Sequence, residues 1–345
     1  MTSEESKCLK GIGIILLFCN HFFTWSEWLV EGNTFWGIDN IAFQRIMLFS
    51  RISNALFAFL TGYGMWFYLK NSDICDGLKK NIIKGINVLI TYWIALFAVF
   101  VPLDYFAGSD ISGKIVMKNL IPIFPDRIIT FSWYIYFYLI VLMILPLMKP
   151  LLDKEYNVFV YFAYCFGIPI TVNMAFRFIS RHINAPIISS IVVLTLTYIP
   201  TVLFGYGFAK YKLFDRLTKN SITVVLLCFV FAVFTRYFLG SRSTFDCLIL
   251  GFFVTFLLCI LRRLHMLKMI FETLGKYSLE MWLISAIFFK ENNISNYFQK
   301  ILYFTKNPFF ILLEGGIICF TIGVIISFLD RGILNIRKLI LKQKE

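Results

Sequence analysis

The sequence predicts an all-α protein, a polytopic integral membrane bundle of about ten transmembrane helices with both termini cytoplasmic. Three observations carry that prediction. The first is composition: 59% of the 345 residues are hydrophobic and 15% charged, with a mean hydropathy of +0.76. An ordinary soluble domain has about 25% charged residues, so both a water-soluble globular enzyme and a disordered chain are excluded. The second is continuity. The apolar residues fall in runs near the roughly 20 that a helix needs to cross a bilayer, and they do not alternate as barrel strands do. The third is the sided distribution of Lys and Arg among the connectors. A formal charge of +13 suits nucleic acid or anionic lipid equally. Short basic connectors between long apolar runs assign it to the lipid bilayer, and no nucleic-acid partner is expected.

The elements follow in order. Leu9–Trp25 is preceded by Glu4 and Glu5 and followed by no small-residue cleavage site, so it reads as a span and not as a removed signal. Ile46–Leu69 is the second run and holds Arg51; Ile82–Pro102 follows the cations Lys79 and Lys80. Ile128–Met148, Val158–Asn173, Ile187–Ala209, Ile222–Leu239 and Phe245–Leu261 are almost wholly apolar. Ile270–Phe289 and Phe309–Leu329 complete the set. Connectors on the side of the N-terminus carry 21 of the 33 Lys and Arg, those on the other side carry 11, and Arg51 lies inside a run. The richer side is cytoplasmic by the positive-inside rule. No composition shift, repeat or long linker divides the chain, which reads as one membrane domain over residues 1–345.

Five of the eight cysteines (Cys19, Cys165, Cys228, Cys259 and Cys319) fall well inside runs, and Cys247 lies at the outer end of another with no obvious partner. Cys8 and Cys75 face the reducing cytoplasm, so no disulfide framework is expected. The three histidines are far apart in the topology, with His182 outside and His265 inside, and no metal site is expected. Thr61-Gly62-Tyr63-Gly64 has the look of a potassium filter, but it sits in the continuous run Ala55–Tyr68 with no pore helix before it. Its glycines are better suited to close helix packing.

An ionisable residue inside a span costs several kcal/mol and marks a functional candidate. His21, Arg51 and Glu314 stand in runs one, two and ten, and a rise of ~1.5 Å per residue puts all three roughly 6–10 Å below the outer surface. One reading is an Arg51–Glu314 ion pair that fastens two helices. The other is catalytic: His21, with an ordinary pKa of about 6.5, acts as general base. Glu314 would orient its second ring nitrogen and Arg51 would neutralise developing charge. Lys10 precedes His21 by eleven residues, close to three turns, and so projects from nearly the same helix face at the cytoplasmic end. A topology anchor is the alternative role for Lys10.

The run Lys10-Gly11-Ile12-Gly13-Ile14-Ile15-Leu16-Leu17-Phe18-Cys19-Asn20-His21 resembles the opening helix of the membrane-bound acyltransferase family 3. Three further stretches resemble that family in order: Arg51-Ile52 with Phe57–Tyr63, then Ser132–Tyr138, then Leu274–Leu283. The chain departs from the pattern where the late motif carries histidine, for here Ser285 stands. Thr61 likewise replaces a serine. The resemblance implies an integral membrane O-acyltransferase of the cell membrane. It would move an acyl group, most often acetyl, from cytoplasmic acyl-CoA to a hydroxyl of a cell-surface polysaccharide or glycolipid. Together with the depth reading above, which supplies Glu314, it makes His21, Arg51 and Glu314 the expected catalytic residues, with Lys10 and Trp133 on the acyl-CoA side. A homo-oligomer is compatible with it.

Two readings compete. A transporter or lipid-linked glycan translocase would use the same topology, but the chain shows no inverted repeat. A catalytically inactive scaffold would explain the missing late histidine. On the outer side Trp25, Trp28 and Trp36 could stack on sugars, and Arg177, Arg181, Arg236 and Arg242 could attract an acidic polymer. An interfacial aromatic belt with solvated arginines is the simpler account of those groups.

Overall fold

The computed structural model describes residues 1–24, 40–109, 112–122, 128–130, 132–180, 186–219, 222–239, 243–289 and 293–342. Among them there is no strand. Sixteen α-helices follow in chain order. They are α1 (Ser3–Thr24), α2 (Asn40–Phe49), α3 (Ile52–Leu69), α4 (Ile74–Ala95), α5 (Val101–Phe106), α6 (Gly113–Asn119), α7 (Trp133–Leu152) and α8 (Val158–Ser180). Then come α9 (Pro186–Lys210), α10 (Leu213–Leu217), α11 (Ile222–Leu239), α12 (Asp246–Leu261), α13 (His265–Lys276), α14 (Ser278–Ser285), α15 (Asn293–Leu302) and α16 (Pro308–Lys342).

Six helical segments of the described residues are long and apolar enough to cross a membrane: Ser3–Thr24, Ile74–Phe106, Trp133–Leu152, Val158–Ser180, Ser189–Lys210 and Pro308–Ile333. Thr223–Phe238, Asp246–Leu261 and Ser278–Phe289 are apolar but shorter. Every expected run overlaps helix, that at Ile128–Met148 only from Trp133 onward, and two of them are broken. Run two parts between α2 and α3 at Ser50 and Arg51, where polar residues interrupt the apolar sequence. Run nine is not one helix: Tyr277 leaves helical dihedrals (φ −109°, ψ 16°) between α13 and α14, and Ala286–Phe289 tightens to 3₁₀. The Ile74–Phe106 segment passes through a π turn at Leu96–Phe100. Pro102 follows at once and has no N–H to return to the preceding turn, a common cause of such a bulge.

Sequence sets the helix starts. Thr2 and Glu5 form a capping box at α1: the Glu5 N–H donates to Thr2 Oγ1 (3.1 Å) and the Thr2 N–H to Glu5 Oε2 (2.7 Å). Asn157 and Asn307 accept from the second N–H beyond them, at 2.9 and 3.0 Å, to open α8 and α16.

The chain divides into two compact units. Met1–Leu17, Leu48–Ile82 and Phe137–Lys276 form the first; Phe18–Met47, Ile83–Tyr136 and Tyr277–Glu345 form the second. In the first, backbones meet at glycine. A Cβ on Gly62 of α3 would overlap the Val202 carbonyl oxygen, and one on Gly205 of α9 would overlap that of Phe59. Gly62 belongs to the filter-like motif, so its role there is close packing. The amino-terminal part of α1 meets α13 in the same way, through Gly11 against the Phe271 carbonyl and Gly275 against that of Lys7. In the second unit α14 packs on α16. There Tyr92 Oη donates to the Asn119 carbonyl (2.9 Å) and Trp93 Nε1 to that of Leu120 (2.8 Å).

Candidate functional site

The second unit gathers a buried polar pair. His21 lies in the last turn of α1 and is 6% exposed; Ser285 ends α14 and is fully buried. Ser285 Oγ is 3.4 Å from His21 Nδ1. The serine hydroxyl donates to the Trp282 carbonyl at 2.7 Å, one turn back along its own helix. The imidazole also meets the Phe289 ring edge-on at 5.7 Å.

Aromatic packing holds this pair. The ring of Phe22, next along α1, stacks on Phe289 (6.1 Å) and meets Phe288 edge-on (5.4 Å). Its carbonyl accepts from Tyr303 Oη at 2.8 Å, which ties the end of α1 to the segment after α15. Gly315 of α16 leaves the room that the Phe22 ring occupies. Trp282 meets Tyr134 edge-on at 5.6 Å. Three stretches singled out from the sequence (Lys10–His21, Ser132–Tyr138 and Leu274–Leu283) therefore contribute residues to one neighbourhood of this unit.

Trp133 begins α7, half-buried and edge-on to Tyr134 at 5.6 Å. Glu314 stands on α16 just before Gly315, half-buried and without a hydrogen-bond or ion-pair partner among the described residues. The side chain that faces His21 Nδ1 is thus Ser285. Its signal in the sequence was its position, the one at which the late motif departs from the family pattern.

In the first unit, charge concentrates at the amino-terminal end of α1. Lys7 pairs with Glu272 (3.1 Å), Arg262 with Glu5 (2.7 Å) and Lys268 with Glu4 (2.7 Å). These carboxylates hold the Arg262 and Lys268 pKa values above their ordinary ones. A cavity of about 190 Å³ opens there, lined by Glu5, Cys8, Leu261, Arg262, His265 and Lys268. Lys10, half-buried one turn further along α1, has no ion-pair or hydrogen-bond partner among the described residues.

Two sequence expectations about arginines change. Arg51 stands at the N-cap of α3 and not within a helix, half-buried and without an ion-pair partner among the described residues. Arg236 is no solvated outer arginine: it is 3% exposed and forms a buried ion pair with Asp246. Its guanidinium lies over the Phe49 ring at 5.6 Å. A cation ending one apolar helix and an anion beginning the next, ten residues later, was the signal for this pair. Arg177 is exposed and donates to Asn173 Oδ1 at 3.0 Å. Trp25, Trp28, Trp36, Arg181 and Arg242 lie outside the described residues.

Compared with known proteins, the chain matches one family model, described as an acyltransferase domain, over residues 4–330. No curated protein and no solved structure matches it.

Proposed function

The chain belongs to the acyltransferase 3 family, and from that premise we propose that it is a plasma-membrane O-acyltransferase with His21 as general base. The donor is acyl-CoA, with acetyl as the acyl group, and the acceptor is a hydroxyl of an extracytoplasmic polysaccharide or glycolipid. The proposal takes the ten-span topology with both termini inside, so that the donor meets the chain from the cytoplasm. The observation that carries it is the family match together with one buried imidazole, on the first apolar helix, held by hydrogen bonding and aromatic packing.

His21 takes the proton of the acceptor hydroxyl as that oxygen attacks the thioester carbonyl carbon. The C–S bond breaks, and the leaving CoA thiolate receives the proton from the imidazolium. Arg51 stabilises the negative charge that develops on the carbonyl oxygen, and Glu314 balances the imidazolium. Lys10 receives a phosphate of CoA through a charge-assisted hydrogen bond. This role is supported by its lack of any acidic partner among the described residues. Trp133 packs on the donor's apolar arm.

The test is acyl transfer from labelled acetyl-CoA to surface glycan by membranes containing the wild type or His21→Ala. The variant should insert normally and lose transfer by roughly 10²–10⁴-fold, the usual contribution of a positioned acid–base group. Undiminished transfer would remove His21 from the chemistry.

A further inference from the structure

We infer that Ser285 is a positioning residue that fixes His21 in its Nδ1–H tautomer, so that Nε2 carries the basic lone pair. The inference rests on the acyltransferase reading above for its consequence, but not for its geometry. A neutral imidazole has one donor and one acceptor nitrogen, and the partner of one nitrogen decides the role of the other. Ser285 has one hydroxyl proton, and that proton is directed to the Trp282 carbonyl at 2.7 Å. What Ser285 Oγ turns toward His21 Nδ1, 3.4 Å away, is therefore a lone pair. A lone pair facing Nδ1 favours a proton on Nδ1.

The same geometry assigns Ser285 no role as acyl carrier. A serine nucleophile hands its proton to the neighbouring imidazole, whereas this hydroxyl directs its proton away from His21. The local structure maintains that direction. Ser285 is fully buried where α14 passes into the 3₁₀ turn Ala286–Phe289, and an i−3 carbonyl is the natural acceptor there. Trp282, which supplies that carbonyl, packs edge-on against Tyr134. A hydroxyl at this position thus does for the imidazole what a backbone carbonyl or a carboxylate does at other histidine bases.

The experiment is ¹⁵N NMR of histidine-labelled full-length protein in nanodiscs. The chain has three histidines, so His182→Gln with His265→Gln leaves His21 as the one labelled ring. At neutral pH, Nδ1 should resonate as a protonated nitrogen and Nε2 as an unprotonated one. In Ser285→Ala that preference should be lost, with kcat for transfer falling about tenfold, the scale of one buried hydrogen bond, and KM for acyl-CoA unchanged. Ser285→Thr, which keeps the hydroxyl, should restore both the tautomer and the rate. A protonated Nε2 in the parent protein, or a tautomer unmoved by Ser285→Ala, overturns the inference whatever the activity. A tautomer that moves while kcat stays constant removes the positioning role. A tautomer that responds as expected, in a protein whose His21→Ala variant still transfers acyl groups, overturns the acyltransferase base and leaves the tautomer assignment standing.

Discussion

The protein buries two polar pairs of opposite character, one in each unit. Arg236–Asp246 is a pair of full charges, each almost inaccessible, joining the last turn of α11 to the first turn of α12. Each charge also lies at the helix end whose dipole favours it. His21–Ser285 is a neutral pair, equally buried, joining α1 to α14. Burial and polarity alone would rank the ion pair first as a functional site. The chemistry ranks them the other way. The guanidinium and carboxylate neutralise each other's charge in a buried setting, and neither group titrates near neutral pH as an imidazole does. An imidazole whose Nδ1 faces a hydroxyl is, in the proposal, oriented to act as a base through Nε2. The first pair is accounted for by architecture; for the second we propose proton transfer.

Substitutions separate these roles, and the largest effect should come from the pair proposed to do chemistry. His21→Ala should abolish most transfer while lowering the thermal midpoint in detergent less than loss of one partner of the buried ion pair does, because no buried charge is stranded. Asp246→Ala should do the reverse. It strands a buried guanidinium, which costs about 3–5 kcal/mol, read as a sharp fall in the unfolding midpoint and in membrane yield. The double change Arg236→Met with Asp246→Leu removes both charges and should restore that stability or exceed it, with transfer retained. A double variant as unstable as Asp246→Ala would show that the pair is more than an architectural staple.

Smaller effects sharpen the contrast further. Gly62→Ala forces a Cβ into the Val202 carbonyl oxygen, and the overpacking should cost roughly 1–3 kcal/mol. Gly64→Ala, two residues on, meets open space and should be nearly silent in the same thermal assay. A filter role for the Thr61–Gly64 stretch would instead make both glycines indispensable. Lys10→Ala should raise the KM for acyl-CoA about tenfold, the scale of one hydrogen bond to a charged group, without changing kcat. Lys7→Ala, whose ammonium is engaged by Glu272, should change KM far less.

How much of this was legible in the sequence depended on range. Hydropathy placed every long helix, since a run of about twenty apolar residues has few other folds open to it. It missed the breaks at Arg51 and Tyr277, because those depend on backbone dihedrals and on which carbonyl a glycine lets a neighbouring helix reach. Among site residues, His21 announced itself as an ionisable group in an apolar run. Lys10 was proposed from helical arithmetic on the same helix, and α1 does run unbroken through both residues. Ser285 was visible only as a departure from a motif, since its partner is 264 positions away in the chain. Asp246 was passed over for a simpler reason: an arginine near a helix end reads as solvated until the anion beside it is placed in space.

The central claim is that proton transfer at His21, and not the buried ion pair, makes this bundle an acyltransferase. It is tested most directly by reconstituting the wild type, His21→Ala and the Arg236→Met/Asp246→Leu double variant in liposomes. Each is supplied with labelled acetyl-CoA and a glycan acceptor, and the label recovered on the glycan is counted. The account predicts transfer by the wild type and the double variant and its near-complete loss in His21→Ala. Equal labelling by the wild type and His21→Ala would contradict it.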